Sequence, residues 1–381
     1  MALYLSFKEI WRNKSRFFLF SLVIALITFL VLFIAALGEG LAAANKEYLD
    51  NLEAELLVFQ SEADYSTQAS RLEYGVLKNV RRQTGIADVG AIGFSTTEVI
   101  LADGEDLAVS LVGVEVGKPG SPAVIEGQPI RNKRAKVVVI DRFIADETGL
   151  IIGDQLTIKS SQGADDEVFN LTIVGISNSQ KYFFQNSIFV PLQVWDDIRP
   201  QAFAPTGDTE IIPNILALKL EDPTLRTEMS TFLMNRIGEI EVVDIKTAYQ
   251  ASPGYAQQQG TLNTMRGFTF LIGVLVIGGF FQIQTLQKVP QIGMLKAIGT
   301  SNRTVAVAAI LQIILVTVFG VFIGSIVAFG MALGIPAQVP ILFSGFSILI
   351  TIVGLLLIGP IGGMVSVRLA LKVEPLTALG M

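Results

Sequence analysis

The 381-residue sequence contains no cysteine and no histidine. Without cysteine there is neither a disulfide framework nor a thiolate metal site. Without histidine, Ser-His-Asp catalysis, histidine zinc sites and histidine proton switching are excluded. Charge is sparse as well: 16% of residues are charged against 51% hydrophobic, and the mean hydropathy is +0.56. That is too apolar for an ordinary soluble domain and too charged for an all-membrane bundle. A net charge of −6 does not suit a nucleic-acid binder. No G-x-x-x-x-G-K-[ST] pattern occurs, so the chain carries no P-loop for ATP and no other motif that binds a cofactor.

What the chain has is long apolar runs. Phe17 to Leu37 is 21 residues without a charge, enough to cross a hydrocarbon core about 30 Å thick. Basic residues precede it, as in a cleavable signal, but a signal's apolar core normally spans about 7–15 residues; a retained anchor is the better reading. Three further runs follow, 267–286, 305–333 and 341–367. The last two exceed the spanning minimum and can tilt, and Pro360 is a candidate kink. Gly320/Gly324, Gly330/Gly334 and Gly359/Gly363 are small-x-x-x-small pairs that permit close helix approach. Ahead of the first run, residues 1–16 place Leu3, Phe7, Ile10 and Trp11 on one helical face and Lys8, Arg12 and Arg16 on another. That pattern fits an amphipathic helix in the headgroup layer.

Between the first and second spans lies a polar stretch, 38–266. Leu41, Ala44, Tyr48, Leu52 and Glu55 recur at helical spacing and predict a stalk. Beyond it, 54–60 reads as a strand, 71–84 as a helix, and 89–101 and 107–115 as strands; 215–220 is a strand, 224–237 a helix and 240–245 a strand. These flanks form an α+β domain with a ferredoxin-like unit, interrupted by a β-rich lobe at about 121–205. Within the lobe, strands are expected at 137–140, 155–159, 169–174 and 187–190. A short helix follows Asp141, its cap, and stops at Gly149.

The remaining polar island is 287–304. Ile292, Leu295 and Ile298 recur at i, i+3 and i+6, Pro290 suits a first helical turn, Gly299 a C′ stop, and Ser301 or Asn302 the cap of the next helix. Two readings stand at this point: a short helix that docks onto a partner, or a connecting loop whose apolar residues touch their own bundle. Charge decides the side of the membrane. Lys8, Arg12, Lys14, Arg16, Lys288, Lys296, Arg303, Arg368 and Lys372 face only Glu9 and Glu374 across the amino-terminal segment, this island and the tail 368–381. The positive-inside rule puts those segments in the cytoplasm and the large domain outside. Glu39, at the outer edge of the first span, is either a plain interfacial carboxylate or a group facing water, a partner or a ligand.

One helix, a large external domain, three more helices and a basic cytoplasmic loop after the second span resemble the plan of the FtsX/MacB-type (type VII) ABC transporter permeases. Lys288-Val289-Pro290-Gln291-Ile292-Gly293-Met294-Leu295-Lys296-Ala297-Ile298-Gly299-Thr300-Ser301 is similar to that family's R-x-x-E-I-G-x-L-K-A-L/I-G-A-S segment, with Gln291 where the family has Glu. Val138 to Leu156 resembles its external lobe, and Val373-Glu374-Pro375-Leu376-Thr377-Ala378-Leu379 its D/E-P-x-x-A-L tail. Phe7 to Ile10, Lys14 to Phe17, Phe29 to Ile34, and Leu37-Gly38-Glu39-Gly40-Leu41 with Asn45 resemble the heme-exporter branch.

The resemblance implies a bacterial plasma-membrane subunit that is not itself an enzyme. It implies a homodimer in the lipid bilayer, served by separate P-loop ATPase chains that hold ATP and Mg²⁺. Gln291, Ile292, Met294, Leu295, Lys296 and Ile298 would form the ATPase-docking face, and force would pass through the stalk to extrude a hydrophobic substrate. In the heme branch that substrate is heme, with Glu39, then Tyr48 and Met265, as candidate contacts in a chain without histidine. Related branches export lipoproteins, peptides or antimicrobials, and FtsX-like members signal without transporting.

Overall fold

A computed structural model describes residues 11, 14–101, 104–163, 165–178, 180–182, 185–201, 210–251, 255–335, 339 and 341–372. Leu3, Phe7 and Ile10 of the expected amphipathic helix and the 373–379 tail motif lie outside the described residues. The chain divides into two compact units, one formed by residues 1–41 with 258–381 and the other by 42–257.

The first unit is helical. Helix α1 (Lys14–Asp50) begins in it, and its apolar part is Phe17–Ala43. Three more helices in this unit are long and apolar enough to cross a membrane, Tyr255–Gln287, Asn302–Ala332 and the Ile348–Arg368 part of Gly345–Lys372. The second of the four starts well before the apolar run read from residue 267. Its Gln- and Thr-rich first turns belong to the same continuous helix, which Ala256 and the glutamines favour and Gly260, Thr261 and Asn263 do not. Pro360 sits inside the last helix, which continues through it.

On α1, Phe17, Ser21, Ile24, Thr28, Val31 and Ala35 are all buried. Their 4-3-4-3-4 spacing is a heptad seam. Phe18, Leu22, Leu26 and Leu30 point outward. Inside a bilayer apolar contact with lipid is as good as contact with protein, so helices associate by close approach. Glycines supply it. A Cβ at Gly320 or Gly324 would strike Ser21, Ile24, Ala25 or Thr28 of α1, and one at Gly278 would lie 2.7 Å from the Gly362 carbonyl. Gly359 and Gly363 abut Thr317 and Ile313 in the same way, whereas Gly330 faces open space.

The second unit is built on a ten-stranded sheet. Its strands are β1 (Leu56–Gln60), β2 (Ile86–Ile100), β3 (Asp106–Val114), β4 (Val124–Gly127), β5 (Val137–Asp141), β6 (Gln155–Gln162), β7 (Asp165–Ser177), β8 (Ser187–Pro191), β9 (Ile215–Leu220) and β10 (Ile240–Asp244). The order is β10-β1-β9-β2-β3-β8-β5-β7-β4. Each adjacent pair among its first four members is antiparallel. With helices Tyr74–Val80 and Arg226–Ile237 they make the β-α-β, β-α-β ferredoxin-like unit. The first of these helices is only seven residues, shorter than the 71–84 span read from the sequence. Alternation sorts β1: Leu56 and Val58 join the core that holds Leu77, Val80 and Leu233, while Leu57 and Phe59 join the opposite core with Ile92 and Phe94.

The inserted segment forms the β-rich lobe and is joined to the rest of the sheet. Strand β6 pairs with both β2 and β7, so the pairings β2-β3-β8-β5-β7-β6 return to β2. The ferredoxin-like unit and this ring therefore share β2. Val99, Val109, Leu111, Ile140, Ile158 and Ile173 fill the interior of that ring. The helix Arg142–Thr148 is capped by Asp141, which accepts from the Phe143 N–H, and ends on Gly149 in the left-handed region, φ +71°. A helix that the periodicity did not mark, Leu192–Ile198, carries Trp195. Its indole lies over Gly93 of β2 and Gly113 of β3, where any side chain would collide with it, and donates from Nε1 to Ser95 Oγ at 3.1 Å.

Candidate functional site

Two places in the helical unit collect the residues singled out from the sequence. The first is the island between the second and third long helices, which forms a nine-residue helix, Val289–Ala297. Proline in its first turn costs nothing, because that N–H has no helical partner anyway. Its end is a Schellman motif: the Thr300 N–H donates to the Leu295 carbonyl at 3.0 Å and the Gly299 N–H to the Lys296 carbonyl at 2.9 Å. Gly299 sits at φ +97°, a conformation that glycine adopts without strain. Ser301 then caps the following helix by accepting from the Thr304 N–H.

The apolar ridge differs from the one read off the i, i+3, i+6 spacing. Ile292 is half-buried and Gly293 buried, while Gln291, Met294, Leu295 and Ile298 are exposed. The outward stripe is 291, 294, 295, 298, the i, i+3, i+4, i+7 pattern of one helix face. Ile298 is 79% exposed. Lys296 is not part of this stripe: its ammonium donates to the Leu371 carbonyl at 2.9 Å, near the end of the last long helix. Lys288 donates to Gln312 Oε1 at 3.4 Å and lies 5.6 Å from the Phe17 ring centre. These contacts gather the start of α1, the end of the second and last long helices and the start of the third at one end of the unit. Ile292 and Leu295 also line a cleft there with Gln284, Lys288, Thr304 and Gln312. Beside it the hydroxyls of Thr285 and Ser366 bond to each other, and Ser366 donates to the Phe281 carbonyl at 2.8 Å. An apolar stripe on a polar-flanked helix, anchored by a lysine on a carbonyl, is chemically suited to receive an apolar pocket.

The second place is the other end of the apolar part of α1. Glu39 is half-buried there. Met265, on the helix Tyr255–Gln287, is 49% exposed, and its carbonyl accepts from the Thr269 hydroxyl. Tyr48 belongs elsewhere. It lies in the second unit, 1% exposed, among Phe94, Tyr182 and Phe189, and its hydroxyl donates to the Gly120 carbonyl at 2.8 Å. Burial pushes its phenol well above the usual tyrosine range. Packing occupies both its ring and its hydroxyl, so it is a core residue with no face left for a ligand. The residue that the sequence reading missed is Arg266. Its guanidinium lies across Gly38, with Nη2 donating to the Ala35 carbonyl at 3.2 Å. The available clue was a lone cation at the same membrane border as Glu39.

A bundle of four helices long and apolar enough to span, a β-rich unit and a capped, outward-facing helix between two of the spans define a multi-span membrane protein with a large polar unit. Residues 17–231 match the family described as MacB-like periplasmic core domain, and residues 263–375 match FtsX-like permease C-terminal. The first match alone covers more than half of the chain, and the protein belongs to the FtsX/MacB-type ABC transporter permeases. Among curated relatives, "Putative hemin transport system permease protein HrtB" of Staphylococcus haemolyticus is 28% identical over 378 residues, 99% of either chain. The protein of the same name from Staphylococcus epidermidis ATCC 12228 is 24% identical over 379 residues, again 99% of either chain. Solved structures with similarity include the periplasmic region of MacB from Actinobacillus actinomycetemcomitans, with TM-score 0.38 and 11% identity over 52% of this chain and 91% of that one. The extracellular domain of the ABC-type transporter YknZ from Gram-positive bacteria follows, with TM-score 0.36 and 12% identity over 50% of this chain and 99% of that one.

Proposed function

We propose that this chain is the membrane subunit of an ABC exporter that couples ATP hydrolysis on separate P-loop ATPase chains to extrusion of heme by mechanotransmission. It works as a homodimer, with both termini and the 287–304 segment in the cytoplasm, where the basic residues cluster. The observation that carries the reading is the exposed stripe Met294, Leu295 and Ile298 on a helix closed at its carboxyl end by a Schellman motif. Such a stripe loses its water contact when an ATPase covers it, and each fully buried side chain contributes roughly 1.5–3 kcal/mol. Closure of the ATPases then presses on Val289–Ala297, and Lys296 passes the displacement to the last long helix through Leu371. On the outer side, α1 runs unbroken from Lys14 to Asp50, and its last turns are hydrogen-bonded to Lys181 within the second unit. A continuous helix is stiff along its axis and suits the transmission of a push.

Leu295→Asp places a charge in the docking face. The expected outcome is loss of permease-stimulated ATPase activity with normal membrane insertion; unchanged stimulation removes the docking role. Heme as the substrate is supported by the naming of the relatives and by Glu39, an oxygen ligand in a chain without histidine or cysteine. Absorbance titration of the purified complex with hemin is expected to show a Soret shift that Glu39→Ala weakens. No shift in the wild type removes heme from the proposal, and the exporter reading then passes to another hydrophobic substrate.

A further inference from the structure

An arginine at a membrane border ordinarily runs its head out to water. Arg266 does not. Its Nη2 reaches back to the Ala35 carbonyl at 3.2 Å, one helical turn inward of Glu39 on α1. Gly38 makes the room: a Cβ there would sit 2.7 Å from Nη2 and 3.2 Å from Leu262 Cδ1. Nη1 is 3.5 Å from Asn263 Oδ1, the outer limit of a hydrogen bond. Nε is buried and has no hydrogen-bond partner among the described residues. Nε and Nη2 are the two donors of the guanidinium's side edge, the fork that grips a carboxylate in two parallel bonds. One of those donors is thus spent on a helix carbonyl, which the helix ladder already uses, and the other is unspent. A buried donor left without a partner is costly, and an incoming anion relieves it.

We propose that Arg266 is the anion-recognition residue of the substrate site. It exchanges the Ala35 carbonyl for a carboxylate of an amphiphilic substrate, and Gly38 is the cleft that holds it ready. This rests on the heme reading: the iron goes to Glu39, and a peripheral carboxylate of the porphyrin goes to Arg266. The same guanidinium chemistry takes a lipid phosphate, so the test separates the two.

The full-length protein in uncharged detergent is titrated with hemin and with hemin dimethyl ester, which keeps the iron and lacks the carboxylates. The wild type is expected to bind hemin on the order of tenfold more tightly than the ester. Arg266→Gln is expected to lose that preference while binding the ester as the wild type does, which also shows that its site is folded. Gly38→Ala is expected to lower the preference by pushing the guanidinium aside. Equal wild-type affinities for the two porphyrins, or a preference that survives Arg266→Gln, overturns the role of Arg266 and leaves the heme reading standing. A wild-type preference that disappears on adding phosphatidylglycerol assigns the guanidinium to a lipid phosphate and overturns it too. Binding of neither porphyrin overturns both readings.

Discussion

The two units bury side chains under different rules. The β-rich unit hides its largest residues: Trp195, Tyr48, Phe59 and Phe189 are all fully buried. The helical unit buries Phe17, Leu32 and Phe281 but differs in what accompanies them. It turns Phe18, Leu26, Phe268, Leu275 and Phe322 outward and buries Ser21, Thr28 and Thr317, with glycines at the helix crossings. Water drives the first arrangement, because removing apolar surface from it stabilises by about 25 cal/mol per Å². Lipid offers no such gain between helices, so backbone proximity decides the second. Burial of large side chains marks the core in one unit, and small residues at the helix crossings mark the closest contacts in the other.

The largest expected effect that tests this contrast is Trp195→Ala. It empties the space over Gly93 and Gly113 and removes the bond to Ser95. A loss of about 3–5 kcal/mol is expected, read as a lower denaturant midpoint of the β-rich unit. An effect below 1 kcal/mol would contradict the core assignment.

Next is the pH response of the same unit. Asp141 is buried, and that burial raises its carboxyl to about 6, with the Gln180 and Phe143 N–H groups opposing. Its folded value exceeds its ordinary 3.8, so the folded state binds the proton more tightly. Stability from this group is full below about pH 4 and falls as pH rises through 6, by roughly 2–3 kcal/mol. The denaturant midpoint of the β-rich unit should decline over that window and level off above it. In Asp141→Asn that decline should disappear.

The smallest effect sharpens the other side of the comparison. Gly324→Ala presses a methyl into the Ala25 carbonyl and should cost about 1–3 kcal/mol, seen as lost thermal stability in detergent. Gly330→Ala, which faces open space, should be neutral or slightly stabilising because alanine is the better helix former. Equal effects at the two positions would break the close-approach rule for this bundle.

Local chemistry was legible wherever neighbours along the chain supply the partner. Pro290, Gly299 and Ser301 act as first-turn, stop and cap residues at the positions their types suggest, and Asp141 and Gly149 bracket their helix. The ridge was half legible. Ile292 turns inward because the second and third long helices pack against that side, which spacing inside a nine-residue helix does not reveal. Tyr48 was misplaced because helical periodicity on a stalk is the same whether the far face meets water or a folded domain. Leu192–Ile198 went unseen because its Val194, Trp195 and Ile198 are consistent with a buried strand as well as a short helix.

The sequence by itself determined the class of each region: four apolar runs long enough to span, a polar β-α-β-rich middle, and a capped helix with a basic residue between two spans. These follow from run length, period and cap chemistry, which are properties of adjacent residues. Only the tertiary structure decided which stripe of the uniformly apolar α1 is the seam, that β2 serves both halves of the sheet, and that Arg266 rests on Gly38 next to Glu39. Each of these joins residues far apart in the chain, and the energy that selects them, close packing or a shared hydrogen bond, exists only once both partners are in place.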